Sequence, residues 1–234
     1  MSALAIRSRT TIALLAAAAV AWVVVADRMA GMDDGPGTDL GGAQWFLGIW
    51  VVMTAAMMLP SAVRVAPTAL FATGYLAVWT VFGLTAYAVF RMITSFDTGW
   101  LAWDAGGPYV AGGAIVAAGL YELTPLKRRS LRRCRSPHDG ATPFGAGVAH
   151  GVDCVGCSGG LMIVLFALGV MSVLWMAVVA AAIFAEKVLP QGQRVSRGVA
   201  VALVVLGLGV AVAPSGVPGL TEPAGGSPSM EMSS

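Results

Sequence analysis

The stretch that decides the fold covers residues 144–189 and reads FGAGVAHGVDCVGCSGGLMIVLFALGVMSVLWMAVVAAAIFAEKVL. A helix needs about 20 mainly apolar residues to cross a bilayer, so this run of about 45 residues is long enough to cross twice. Lipid offers no hydrogen-bond partner to an exposed backbone group, so both crossings are expected to be helical. We place the break between them at residues 169–172, which predicts two consecutive transmembrane helices.

The composition of the whole chain agrees with a membrane protein. Of its 234 residues, 57% are hydrophobic and only 11% are charged, whereas about 25% are charged in soluble domains. The net charge of +2 is too small to indicate a polyanionic partner such as nucleic acid. These figures exclude a soluble enzyme, a disordered chain and a nucleic-acid binder. Three cysteines are too few, and too odd in number, for a disulfide framework.

Working outward from the central run, we predict an all-α fold: a single-domain, polytopic transmembrane helix bundle of about seven spans. The first span could instead be a signal peptide, but no convincing cleavage site follows it, so we predict that it is retained. The tail over residues 214–234 is rich in Pro, Gly and Ser, which predicts disorder. The spans are expected at residues 11–26, 44–61, 68–90, 109–124, 144–169, 172–189 and 199–213.

The basic residues predict the orientation of these spans. Lys and Arg are enriched in cytoplasmic loops of membrane proteins. With the N-terminus inside, only Arg28 and Arg91 of the 14 basic residues lie outside. We therefore predict an N-in, C-out, multi-pass protein of the cell (inner or plasma) membrane, with an extracytoplasmic tail and the lipid bilayer as its first partner.

A strongly basic stretch, LKRRSLRRC at residues 126–134, lies on the predicted cytoplasmic side. Leu126, Ser130, Leu131 and Cys134 share one helical face, and the arginines take the other. This pattern predicts an amphipathic helix at the membrane interface. Its plain interpretation is a topology anchor that meets anionic lipid.

The fifth predicted span carries the strongest chemical signal, HGVDCVGC at residues 150–157. His150, Asp153, Cys154 and Cys157 follow the i, i+3, i+4, i+7 rule and share one helical face. Ionisable groups inside a span mark a functional site by default. Thiolates and imidazole bind soft transition metals such as Cu(I), or Zn. We predict His150, Cys154 and Cys157 as ligands and Asp153 as an outer carboxylate; a redox thiol pair and plain packing remain alternatives.

Glycines in the same span predict close packing of another helix. Gly147 and Gly151, and likewise Gly156 and Gly160, form small-x3-small pairs that let two helix backbones approach. We expect these pairs to bring another helix against the cysteine face. The second span is the candidate partner.

Methionines in the second span support that choice. Met53 and Met57 are spaced i, i+4, so their thioethers stack on one face, and Met53 lies at about the depth of Cys154 at roughly 1.5 Å per residue. This predicts Cu(I) between the second and fifth spans. Two pairs in the predicted outer segments are candidate auxiliary sites for collecting copper: Met29 and Met32, and Met230 and Met232.

Adjacent Glu186 and Lys187 are expected to form an ion pair.

Together, residues 50–61, 119–137, 150–162 and 175–190 resemble a bacterial family of predicted metal-binding integral membrane proteins of unknown function, some of whose members are labelled copper chaperones. The resemblance implies a helical membrane fold and metal binding. It makes Glu186 a second outer carboxylate and Cys134 an auxiliary ligand. The positions to which it points are His150, Cys154, Cys157, Met162, Cys134, Glu186, Met57 and Met58.

The chain departs from the family pattern at two cysteine positions. In the family, the second cysteine of the motif is followed by Cys and Trp, where this chain has Ser158 and Gly159. The family often has Cys at the position of Ser130. A hydroxyl is a poor ligand for a soft metal, so a site that needs these two thiols would be weakened. The joint loss suggests that the two positions act as a pair.

The leading hypothesis is a non-enzymatic membrane protein that handles copper(I), with zinc as the other candidate ion. It would act as a chaperone or transporter and pass the metal to a soluble or membrane client protein. The enzymatic alternative is a membrane thiol–disulfide relay that uses Cys154 and Cys157. The third hypothesis is a structural membrane subunit whose polar stripe binds another protein's helix.

Overall fold

A computed structural model describes residues 3–29, 40–62, 68–95, 106–136, 142–169, 172–214 and 217. Every regular element in these ranges is an α-helix, so the predicted all-α class is confirmed for this part of the chain. The predicted tail, residues 214–234, lies almost entirely outside the described residues. The helices are α1 (Ala3–Met29), α2 (Ala43–Ala62), α3 (Ala69–Ser95), α4 (Gly107–Glu122), α5 (Pro125–Cys134), α6 (Pro143–Leu168), α7 (Val173–Val188) and α8 (Gly192–Val212).

Each predicted span coincides with one of these helices, and α5 is the predicted amphipathic helix. Five of the described helices, α1, α2, α3, α6 and α8, are long and apolar enough to cross a membrane. Helices α4 and α7 have 16 residues each, fewer than the about 20 that a full crossing needs. Helices α4 and α5 meet at a bend of 67° and together form a sixth candidate. The count of seven spans and the orientation stay predictions.

Helix α5 begins at a well-defined N-terminal cap. The Thr124 hydroxyl accepts a hydrogen bond from the Lys127 backbone N–H at 3.2 Å, and Pro125 occupies the first helical position, where its missing N–H costs nothing. The inner face of α5 buries Lys127, Ser130, Leu131 and Cys134, whereas Leu126, which was predicted on the same face, is 59% exposed. This face packs against α6, so the bend after α4 brings Cys134 toward the motif on α6.

The glycine pair at Gly147 and Gly151 packs against α3. The prediction that the second span is its partner helix is therefore wrong. A Cβ atom at Gly147 would overlap the backbone carbonyl of Phe71, and one at Gly151 would lie 2.9 Å from Cβ of Val78. Small-x3-small pairs specify close approach and leave the partner open. Helix α2 packs mainly against α1, α3 and α7, and Trp50 Nε1 donates a 2.8 Å hydrogen bond to the Trp79 carbonyl of α3.

The second pair lies on the opposite side of α6 and faces α4 and α5. A Cβ atom at Gly156 would lie 2.5 Å from Ser130 Oγ, and one at Gly160 would lie 3.2 Å from the Tyr121 ring. The Tyr121 hydroxyl donates a 2.6 Å hydrogen bond to the Gly156 carbonyl. Helix α6 is therefore packed closely on two sides, which fixes the cysteine face between α3 and α5.

The α3–α6 contact yields a first test. We expect Gly147→Ala to destabilise the protein by about 1–3 kcal/mol, the usual cost of overpacking, because the obstructing atom belongs to backbone. The matched control is Gly113→Ala on α4, since an added Cβ there meets nothing within 4 Å and should be neutral or stabilising. Thermal unfolding in detergent measures both. Equal melting midpoints would contradict this packing.

Candidate metal centre

Three cysteine sulfurs meet between α5 and α6. Cys154 and Cys157 lie one turn apart on α6, and Cys134 comes from the end of α5. Their Sγ atoms all lie within 4.8 Å of one another, and all three residues are buried free cysteines. Among the His, Cys, Asp and Glu residues that the structure describes, these three form the group whose donor atoms are close enough to share an ion.

Two polar side chains from other helices contact the sulfur of Cys154. The Tyr75 hydroxyl of α3 lies 3.0 Å from Cys154 Sγ. The Lys187 ammonium of α7 donates to the same sulfur at 2.9 Å and to Met58 Sδ at 3.8 Å. A positive charge thus lies against the cluster. A bound cation at this sulfur would have to share it with Lys187 or displace the ammonium.

His150, a predicted ligand, reaches the cluster through Cys134. Its Nε2 atom lies 3.8 Å from Cys134 Sγ, and the residue is 2% exposed. The imidazole also packs on the rings of Phe71 and Tyr75, with centroids 5.4 and 5.6 Å away. The histidine therefore lies at the edge of the three sulfurs, on the side of Cys134.

The other predicted site residues occupy separate places. Asp153 is half-buried on α6. The buried side chain of Met58 touches Lys187. Met29 ends α1 and is buried there, whereas Met32, Met230 and Met232 lie outside the described residues. The three sulfurs meet between α5 and α6, with Tyr75 of α3 and Lys187 of α7 beside them, and the predicted copper position between the second and fifth spans stays a prediction. Further buried methionines on α2 and α6 are Met53, Met57 and Met162.

Glu186 does not pair with Lys187, so that prediction is wrong. It belongs to a buried carboxylate–lysine triad, in which the Lys127 ammonium lies 2.6 Å from the Glu122 carboxylate and 2.9 Å from that of Glu186. The side chains of this triad are 0–1% exposed, and Ser196 Oγ donates to Glu122 at 2.8 Å. Adjacent helical residues point in different directions, so Glu186 faces the triad while Lys187 faces Cys154.

Both ends of α5 are attached to the end of α7. Lys127 meets Glu186 at the first end. At the other, Arg135 Nε donates to the Lys187 carbonyl at 2.9 Å, and Arg135 Nη2 donates to the Leu189 carbonyl. These bonds hold the helix that carries Cys134 against the helix that carries Lys187. The geometry of the cluster therefore depends on residues outside it.

The two serines at the departing family positions lie on different helices, Ser130 on α5 and Ser158 on α6. Ser130 on α5 is buried against Gly156. Ser158 Oγ lies 3.3 Å from Cys157 Sγ. Each hydroxyl thus occupies a place next to the cysteine motif, while their action as a pair stays a prediction.

The donor set suits a soft metal ion. Three sulfurs favour Cu(I) or zinc over the hard ions that oxygen ligands select. Structural zinc sites are almost always tetrahedral with four ligands. The three cysteine sulfurs supply one ligand fewer than such a site needs.

Comparison with known proteins agrees with this chemistry. A model of the family PpoB2, described as copper chaperone, matches residues 47–210. The chain belongs to this copper chaperone family. The matched region contains all three cysteines, and the resemblance stated from the sequence is confirmed. No curated protein and no solved structure matches the chain.

Sequence reasoning missed three residues around the centre of this copper chaperone family member. Lys187 was assigned to Glu186, although the i, i+1 spacing already argued against that pair. Lys127 lies in the basic stretch that predicts α5, two turns from Cys134, and shares its buried face. Tyr75 carried no signal, because a tyrosine within an apolar span is common as a packing residue.

Proposed function

We propose that the protein binds Cu(I) through the sulfurs of Cys134, Cys154 and Cys157 and passes it to a client protein or across the bilayer. The observation that carries the proposal is the convergence of three buried sulfurs within 4.8 Å of one another. Membership of a copper chaperone family supports copper as the ion. Zinc is the competing ion, since it also accepts thiolates.

The membrane setting completes the proposal. A seven-span, N-in, C-out arrangement in the cell membrane would put the basic helix α5 on the cytoplasmic side. The last turn of α5 would then reach Cys154 and Cys157, which lie roughly 17 and 21 Å along α6 from its first residue, Pro143, at about 1.5 Å per residue. Copper would enter or leave the cluster from that side.

Further ligands would complete the site when copper is bound. We propose that the His150 imidazole joins through its position beside Cys134, and that Met58 offers a thioether next to Lys187. Met53, Met57 and Met162 are proposed as softer auxiliary donors, and Asp153 and Glu186 as outer carboxylates. Met29, Met32, Met230 and Met232 remain proposed collectors of copper.

The test is metal binding by the purified full-length protein. We expect mass spectrometry in mild detergent, under reducing conditions, to show about one Cu(I) per chain, retained in the presence of excess zinc. Protein whose thiols were alkylated after mild unfolding and refolding should retain none. The matched control is Met176→Leu, because this buried methionine is about 16 Å along α7 from Lys187. Zinc retained in preference to copper would reject the assignment of the ion.

A thiol–disulfide relay is the second candidate, because three neighbouring thiols could exchange disulfides. Its nucleophile must be reached by a partner's disulfide, whereas the three cysteines are 0–4% exposed. Trapping with the Cys157→Ser variant, which keeps Cys134 and Cys154, separates the two functions. A mixed disulfide of this variant with a second protein would favour the relay, and its absence, together with copper bound to the wild-type protein, would favour the chaperone.

A further inference from the structure

A separate cavity of about 80 Å³ lies where α4 ends and α5 and α8 begin. It is larger than the about 10–15 Å³ that one water needs, so it has room for a small polar group. Its lining includes Leu123, Arg128, Gln193 and Arg197, with Glu122 and Ser196 at its inner wall. None of these residues belongs to the sulfur cluster.

The charge of this cavity is positive. Arg128 from α5 and Arg197 from α8 are both exposed and line it from different helices. Arg128 Nη2 donates to the Leu123 carbonyl at 3.2 Å, which holds its side chain at the rim. The Glu122 carboxylate is hydrogen-bonded by Lys127 and Ser196, and the two guanidinium groups outnumber this one carboxylate in the lining. Two guanidinium groups therefore remain to attract an anion.

The surface next to the cavity is apolar. Leu123 in the lining is 47% exposed and Leu120 on α4 is 58% exposed. On α8, Val201 and Val205 follow Arg197 at i+4 and i+8, hence on the same face, and both are 65% exposed. An anion bound here would have exposed hydrocarbon surface directly beside it.

We propose that this cavity binds the phosphate of an acidic phospholipid, whose acyl chains lie along the exposed faces of α4 and α8. Guanidinium groups match phosphate oxygens in geometry and charge. Basic pockets between membrane helices bind anionic headgroups. A free phosphate ion would use the arginines but gain nothing from the valine and leucine surface. The amphipathic environment therefore selects a lipid.

The experiment is native mass spectrometry of the full-length protein with phosphatidylglycerol, and with phosphatidylcholine as the zwitterionic probe. The protein should retain phosphatidylglycerol in preference to phosphatidylcholine. Arg128→Gln/Arg197→Gln should lower that retention by about tenfold or more, at about 1 kcal/mol for each basic residue removed. The matched control is Arg129→Gln/Arg194→Gln, which removes the same charge from exposed sites on the same two helices without touching the lining.

Circular dichroism and the melting midpoint establish that both double variants are folded. Equal losses in the two double variants would overturn the proposal, because the attraction would then come from general surface charge. Displacement of the lipid by millimolar inorganic phosphate would also overturn it, since the cavity would then bind a free ion. Loss in the first variant alone, resistant to phosphate, is the result expected.

Discussion

Lys127→Met should destabilise the protein by about 3–5 kcal/mol, because it leaves two buried carboxylates without their cation. Lys127 lies 2.6 and 2.9 Å from Glu122 and Glu186, with all three side chains buried. For a chain of this size the melting midpoint should fall by roughly 6–20 °C, at about 2–4 °C per kcal/mol. Thermal unfolding in detergent provides the measurement.

The same substitution should also release Cys134. Without the ion pair, the hydrogen bonds of Arg135 are the remaining polar attachment of α5 to the end of α7 among the described residues. The Cys134 thiol should therefore react faster with a maleimide reagent than in the wild-type protein. The matched control is Arg129→Met, an exposed basic residue on the same helix, which should change neither quantity.

A neutral triad distinguishes lost charge balance from lost packing. Replacing a whole buried ion pair by neutral groups is often tolerated, whereas removing one partner is costly. The triple variant Lys127→Met/Glu122→Gln/Glu186→Gln should therefore regain much of the stability lost in Lys127→Met. If Lys127→Met has the same melting midpoint as the wild-type protein, the triad does not hold α5 in place.

Local properties of the sequence were sufficient to locate the helices. Each span was read from the length of an apolar run, which depends only on nearby residues. The amphipathic pattern of residues 126–134 likewise located α5, since its buried face is set by helical periodicity. The predicted spans therefore coincide with helices, although α4 and α7 are short, and their number as membrane crossings stays a prediction.

The composition of the candidate centre was less predictable, because it depends on contacts between distant parts of the chain. The shared face of Cys154 and Cys157 follows from one helix, but the approach of Cys134 depends on the 67° bend after α4. The partner of Gly147 was misassigned because a glycine pair does not encode which helix it meets. Pairing Lys127 with Glu186 is likewise a contact between α5 and α7 that no local pattern shows.

Cys134→Ser should weaken Cu(I) binding more than any change at His150. The sequence predicted His150 as a ligand and Cys134 only as an auxiliary ligand, so this expectation reverses their order. Its sulfur lies within 4.8 Å of both other sulfurs, and a hydroxyl is a poor replacement for a soft metal. We expect a loss greater than the about 10- to 100-fold that follows removal of an outer-shell partner. Competition with a chromophoric Cu(I) chelator, under reducing conditions, measures the affinity.

His150→Gln is the matched comparison, because His150 Nε2 contacts Cys134 Sγ at 3.8 Å and lies outside the group of three sulfurs. It should lower the affinity by about 10- to 100-fold, less than Cys134→Ser, because the imidazole would join the site only at its edge, beside one sulfur. Cys154→Ser/Cys157→Ser leaves one sulfur and should retain no copper. A larger loss in His150→Gln than in Cys134→Ser would mean that copper is held by the α6 motif alone. In that case the helix that carries Cys134 would serve only to cover the site.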